Sequence, residues 1–403
     1  MIIQGQSKTS VYTISLKDSS LTLALDEQVI VAYDLGGRLY SLFKEGRHHR
    51  RSLSGQILQK WQTEQGRQRR WLGPSEADML LDDAARRLRQ LVGELSSTDW
   101  IWITPPDNST RLIDYLSVLE RAARFDSAAA SWDSARFKHV YKPIGILPPD
   151  QYLALVLQAT QGCSFSSCTF CDLYHDPFAV KTPHEFRQHI DAVREYLDDS
   201  LSLRQRSIFL GSANALAVPM PRLKPLFETI AREFVVDQLG VYAFLDGFTG
   251  TRKSVEDYRT LAGLGLRRVY VGLESGHDPL LEFVRKPGRA SDAIETVRTI
   301  KTAGVHVGVI VMIGLGGDRF AADHVEETIR ALNAMQLGEG DLLYFSDLVE
   351  EPGSLYPELA QRYDIQRLTL PELAAQRASI RAGLQFVDRP PKISNYDVRE
   401  FVY

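Results

Sequence analysis

From residue 151 onward the chain alternates between two kinds of segment. Apolar runs of strand length are LALVLQA (153–159), SIFLG (207–211), VYAFL (241–245), RVYVGL (268–273), HVGVIVMIG (306–314) and LLYFS (342–346). Helix-length segments fall between them, at about 183–198, 221–234, 254–263, 290–303 and 322–336. Strands joined by single helices close right-handed crossovers, which set the strands parallel. The six units within 151–347 are too few for a closed eight-unit barrel, which needs ~250 residues. The expected fold is therefore α/β, an open six-unit barrel. Residues 348–403 carry one clear helix, 371–383, and a polar tail, and read as a C-terminal helical extension.

The first 130 residues follow a different pattern. Alternation around Tyr12, Ile14 and Leu16, then LTLAL (21–25), VIVAY (29–33) and RLYSLF (38–43), predicts short strands, with Gly36-Gly37 a hairpin signal. Lys44 to Arg70 is basic: eight Lys and Arg against Glu45 and Glu64, with His48 and His49 inside. A helix is expected from Ser75, as N-cap, to about Leu95, with Leu81, Ala84, Leu88 and Leu95 at helical spacing. Trp100 to Ile103 reads as a strand. Asn108 or Ser109 is expected to cap a helix carrying Leu112, Leu116 and Leu119. The pattern from Ser127 to Asp150 is irregular and contains Pro143, Pro148 and Pro149, and 131–150 is expected to link an N-terminal α+β domain (1–130) to the rest.

Composition excludes several classes. A net charge of −4 gives no bulk signal for nucleic-acid binding. The N-terminus lacks a basic region followed by an apolar core, and no apolar run approaches the ~18 residues of a membrane span. A soluble, cytoplasmic protein with no membrane partner is expected. Three cysteines exclude a disulfide framework.

All three cysteines fall in one loop, Gln161-Gly-Cys163-Ser-Phe-Ser-Ser-Cys168-Thr-Phe-Cys171-Asp-Leu-Tyr-His175, directly after the first barrel strand. Parallel-strand folds place active sites at the C-terminal strand ends. Three thiolates on a short loop suit an iron–sulfur cluster with one open iron. His175 would complete a Cys3His zinc site. The third reading is three inert, buried thiols, although Ser164, Ser166, Ser167 and Thr169 make the loop polar.

The loop resembles that of the radical S-adenosylmethionine (radical SAM) superfamily, whose pattern is Cys-x3-Cys-x-aromatic-Cys after the first strand of a six-unit partial barrel. Cys168-Thr-Phe170-Cys171 matches its second half; Cys163 and Cys168 enclose four residues rather than three. Phe209-Leu-Gly211-Ser212-Ala213-Asn214 resembles the family's glycine-rich element after the second strand, with Ala213 where Glu is usual. Gly272-Leu-Glu274-Ser275-Gly276 resembles the element ending the fourth strand, and Arg285-Lys286 follows where a cation is frequent. Gly308 to Asp318, including Ile313, resembles the fifth-strand element that packs on adenine. The resemblance covers 151–347.

The resemblance implies a partial (β/α)6 TIM-like barrel of the radical SAM type. It implies a [4Fe–4S] cluster on Cys163, Cys168 and Cys171, and S-adenosyl-L-methionine held by Phe170, Gly211, Ser212, Glu274, Ser275, Lys286 and Ile313. It further implies reductive cleavage to a 5′-deoxyadenosyl radical, hydrogen abstraction from a small-molecule or macromolecular organic substrate, and an electron donor such as flavodoxin or ferredoxin. His175 is the candidate acid or base. With no fourth cysteine and no Asp-x-His-x-x-Gly, neither a cysteine-bound auxiliary cluster nor a typical cobalamin domain is expected. The alternatives are a haem- or iron–sulfur-binding, chaperone-like relative without turnover, and the zinc protein. The 44–70 stretch marks an anionic partner, nucleic acid among the candidates.

Overall fold

Period-two alternation in the first three strands starts an antiparallel meander that runs through the N-terminal region. β1 (Ile2–Gln6), β2 (Val11–Leu16), β3 (Ser20–Ala24), β4 (Val29–Asp34), β5 (Leu39–Lys44), β6 (Arg47–Arg51), β7 (Ile57–Thr63) and β8 (Gly66–Trp71) pair in chain order. α1 (Pro74–Leu95) follows, and β9 (Ile101–Thr104) then pairs antiparallel to β1. α2 (Arg111–Ala123) and α3 (Ser127–Val140) complete the set. The computed structural model describes residues 2–8, 10–25, 29–64, 66–106, 111–174, 176–350 and 353–403, without the side chains of 111–114. The expected cap at Asn108 or Ser109 and the side chain of Leu112 lie outside the described residues.

Ile14, Leu21, Leu23, Val31, Leu42 and Ile57 on one face of the sheet pack with Leu81, Leu88 and Leu91 of α1 and Leu119 of α2. Two corrections to the sequence reading concern helices. α1 is capped at Gly73 rather than Ser75: Pro74 opens the helix, and the Glu76 carboxylate accepts the Gly73 N–H at 3.0 Å. Residues 127–140, expected to be irregular and in part a linker, are helical. α3 is anchored through a polar side chain. Asp133 accepts from Arg38 Nε at 2.7 Å and from Arg51 Nη2 at 3.1 Å, all three groups being buried.

The chain divides into two compact units. The first is Met1–Pro143 with Ile190–Arg206 and Val402–Tyr403; the second is Ile144–His189 with Ser207–Phe401. In chain order after α3 come β10 (Leu155–Gln158), β11 (Thr160–Gln161), β12 (Ala179–Val180), α4 (Pro183–Leu197), α5 (Leu201–Arg204) and β13 (Ile208–Gly211). Then follow α6 (Met220–Glu233), α7 (Val236–Leu239), β14 (Val241–Asp246), α8 (Gly247–Gly250), α9 (Val255–Gly263) and β15 (Leu266–Glu274). α10 (Asp278–Phe283), α11 (Ala290–Thr302), β16 (His306–Ile313), α12 (Gly317–Met335), β17 (Leu342–Asp347), α13 (Tyr356–Arg362), α14 (Leu370–Ala382) and β18 (Lys392–Asn395) end the chain.

β10, β13, β14, β15, β16, β17 and β18 form one parallel sheet in that order. The fold is α/β with a parallel sheet, as expected, but the sheet has seven strands rather than six. The seventh, Lys-Ile-Ser-Asn, comes from the polar tail and pairs with Leu342–Phe345 of β17. The sheet is strongly curled. Asp150, just before β10, accepts hydrogen bonds from Tyr270 Oη of β15 (2.6 Å) and Tyr344 Oη of β17 (2.8 Å). In a flat sheet β10 and β17 would lie on the order of 24 Å apart, five spacings of ~4.8 Å. Tyr396 Oη, just beyond β18, donates to Leu147 O at 2.7 Å and draws the two edges together. No helix among the described residues is long and apolar enough to cross a membrane.

Candidate metal and cofactor site

The cysteine loop is closed at its base. β11 and β12 pair antiparallel, Thr160 opposite Val180 and Gln161 opposite Ala179. Gly162 has φ +69°, and a Cβ there would come 2.1 Å from Asp176 O, so only glycine fits this exit from β11. The loop's middle is pinned as well. Thr169 N donates to Val284 O (2.9 Å), Tyr356 N donates to Thr169 O (2.9 Å), and Ser167 Oγ donates to Arg285 O (3.1 Å). Cys171 N closes a turn on Cys168 O at 3.2 Å.

Pinned in this way, Cys163, Cys168 and Cys171 line one cavity of about 260 Å³ at the C-terminal ends of the parallel strands. Its walls are mostly apolar, with Phe165, Phe170, Phe244, Ile310 and Met312 among them. Glu274 ends β15 at φ +60° and faces the cavity with Lys286, whose Nζ stands 3.5 Å from Glu274 Oε1. Gly272 makes room for that carboxylate: a Cβ there would lie 2.4 Å from Glu274 Oε1.

Burial pushes the Cys168 thiol up to about 11 against the pull of Lys286, and burial raises the Cys171 thiol too. Burial also raises the Glu274 carboxyl, opposed by Lys286. Lys286 keeps its proton despite burial, because Glu274, Cys168 and Asp246 surround it. The thiols therefore bind metal only by releasing protons, and Lys286 is the nearby cation that offsets the resulting charge.

The donor set fits a cubane cluster. Soft thiolates suit iron–sulfur ligation, and a cubane presents its irons at separate corners, so the ligands need not meet at one point. Among the described residues no three His, Cys, Asp or Glu side chains converge on a single metal ion. His175, the ligand that the zinc reading requires, lies outside the described residues.

Residues 157–332 match the family model described as Radical SAM superfamily. Residues 157–332 carry a radical SAM domain. Members of that superfamily are enzymes that use a [4Fe–4S] cluster and S-adenosylmethionine. No curated protein matches the chain. Solved structures similar to it include coproporphyrinogen III oxidase (HemN) from Escherichia coli, at 12% identity, 62% of this chain, 54% of that chain and TM-score 0.42. The radical S-adenosylmethionine methyltransferase TsrM from Kitasatospora setae, with cobalamin and a [4Fe–4S] cluster bound, matches at 16% identity, 55%, 44% and TM-score 0.41. The cobalamin-dependent S-adenosylmethionine radical enzyme OxsB matches at 14% identity, 57%, 31% and TM-score 0.38. The match spans less than two thirds of each of these three chains.

Of the residues expected from sequence, Cys163, Cys168, Cys171, Phe170, Glu274 and Lys286 share the cavity of the radical SAM domain. Gly211 and Ser212 line a smaller adjoining recess that shares Ile146, Tyr174 and Phe244 with it. Two of the expected residues lie away from the cavity. Ile313 is fully buried away from the cavity, because strand alternation turns Ile310 and Met312 inward instead. Ser275 is also fully buried; its Oγ bonds His324 Nδ1 at 2.8 Å and accepts the His277 N–H at 3.0 Å. Asp318 serves the backbone, accepting the Gln366 N–H at 2.9 Å. Arg285 is exposed and lines neither cavity.

Asn214 and Asp246 were not singled out for the site by sequence reasoning. Both line the cavity, the Asn214 amide reaching Asp246 Oδ2 and, at 2.8 Å, Ser164 Oγ of the cysteine loop. Each stands within three residues of a strand's C-terminal end, a position that the strand-end rule would have flagged.

His324 makes an acid-labile support for this end of β15. Burial, then His277, drives its imidazole down to about 4, so it is neutral in the folded state. Stability from this neutral form is complete above the unfolded value of ~6.5 and is lost as pH falls through 4, on the order of 3 kcal/mol in all. Unfolding of wild type and His324→Gln, followed from pH 7 to pH 4, is expected to show the steeper loss in wild type.

Proposed function

We propose that this chain is a radical SAM enzyme whose cluster is held by Cys163, Cys168 and Cys171. The observation that carries this reading is the meeting of all three cysteines with the Glu274–Lys286 pair around one apolar cavity at the strand ends. When bound, the cluster and S-adenosylmethionine supply one-electron cleavage of a carbon–sulfur bond and hydrogen abstraction from an organic substrate.

The chain's own residues orient and shield. Glu274 accepts charge-assisted hydrogen bonds from hydroxyl or amino groups of the cofactor. Lys286 offsets thiolate charge, and backbone oxygens at Gly211 and Ser212 receive the cofactor's amino group. Phe170, Phe244, Ile310 and Met312 keep water out, so that the reactive carbon meets the substrate alone. The curled sheet reads as a partial (β/α)6 TIM-like barrel extended by one strand. The electron comes from a flavodoxin or ferredoxin class donor, and three free thiols suit a reducing compartment such as the cytoplasm.

Protein purified without oxygen after iron and sulfide loading is expected to be brown, with absorbance near ~400 nm and about four irons per chain. Colourless protein carrying one tightly held zinc would overturn the assignment. Haem binding with an empty cysteine loop would favour the chaperone-like alternative.

A further inference from the structure

The basic stretch 44–70 divides between two faces of the meander. Four of its cations lie on the helix-covered face. Lys44 Nζ bonds Asp83 of α1 (3.0 Å), Arg51 bonds Asp133 (3.1 Å), Arg70 forms a forked pair with Glu76 (2.7 and 2.8 Å), and Arg47 lies over the Trp61 ring at 5.4 Å. The strand register puts the others on the opposite face. One row across the sheet reads Ile30, Phe43, His48, Lys60, Arg69. The next reads Ser41, Arg50, Leu58, Trp71, and Arg67 stands on the same face two residues from Arg69. Phe43 and Trp71 are 39% and 45% exposed on this face. β6, β7 and β8 contain no Asp or Glu.

We propose that this face of β4–β8 binds a single-stranded nucleic acid. Cations in parallel rows match a phosphate backbone, and the exposed rings of Phe43 and Trp71 offer stacking surfaces for unpaired bases. The positive field is felt inside the row: after burial, Lys60 and Arg50 are what hold the His48 imidazole below its usual value. A second copy of the chain is a poor occupant, since pairing the face with itself would set cation rows against each other. A duplex hides its base faces and leaves the aromatic rings unused. The face belongs to the first unit, so its occupancy is measured independently of radical chemistry.

The test is fluorescence anisotropy of the full-length, cluster-loaded protein with a labelled oligouridine RNA. Four neutralised phosphates at a log–log slope of about −0.7 each predict about 50-fold weakening between ~50 and ~200 mM salt. Replacing Lys60, Arg67 and Arg69 together by Ser should reduce that change to about threefold. Phe43→Ala with Trp71→Ala should weaken binding at least about tenfold at fixed salt and leave the salt slope in place. Arg70→Ser, on the other face, should bind within about twofold of wild type, and unchanged melting confirms that the variants fold. Affinity unaltered by the aromatic pair, duplex bound as tightly as single strand, or no binding at ~50 mM salt would each overturn the proposal.

Discussion

Cys168→Ala is expected to lose the brown colour and nearly all iron, falling from about four irons per chain to well under one. Cys168 is the cysteine most firmly placed by its surroundings. The next residue, Thr169, is bonded through N and Oγ1 to Val284 O and through O to Tyr356 N. The loop cannot slide another thiolate into the vacated position, because the chain has no fourth cysteine. Burial holds the free thiol protonated, so each ligand lost also removes a site where iron displaces a proton. Iron and sulfide analysis of the anaerobically loaded variant, beside wild type, reads the effect. Retention of about four irons would mean that the cysteines are not the ligands.

Glu274→Gln should leave iron content unchanged and weaken S-adenosylmethionine binding by about 10- to 100-fold. The charge-assisted hydrogen bonds it removes are worth ~1.5–3 kcal/mol each. It should also lower thermal stability. Glu274 and Lys286 are nearly buried, and removing one member of such a pair strands the other at a cost of roughly 3–5 kcal/mol. Gly272→Ala tests geometry separately from charge. Its Cβ would enter the space of Glu274 Oε1, so cofactor affinity should drop although both charges remain. Equilibrium binding of S-adenosylmethionine to the iron-loaded proteins distinguishes the outcomes. Wild-type affinity in both variants would show that β15 does not present the cofactor's partner.

The parallel-sheet unit was legible because its strands are buried on both faces and so appear as continuous apolar runs, each followed by an amphipathic helix. The cysteine loop was legible because its chemistry is local. What escaped detection was stabilised by polar contacts. β6 to β8 show no hydrophobic alternation, since their inward residues include Arg47, His49, Arg51 and Arg70, satisfied by partners such as Asp133 and Glu76. α3 turns Asp133 and Ser134 into the protein and so lacks an apolar stripe. β18 is a short edge strand with one apolar residue, defined by its pairing with β17. At the site, strand parity separates side chains that the motifs group together. The pleat sends Ile310 and Met312 inward and Ile313 outward, and the turn after Glu274 buries Ser275 against His324.

The most direct measurement is release of 5′-deoxyadenosine and methionine from S-adenosylmethionine by the iron-loaded protein with dithionite, under anaerobic conditions. Slow release of the two in equal amounts, even without substrate, and none from Cys168→Ala, is the predicted result. A protein that holds about four irons, binds S-adenosylmethionine and yet releases no 5′-deoxyadenosine would contradict the assignment of this cavity to radical chemistry.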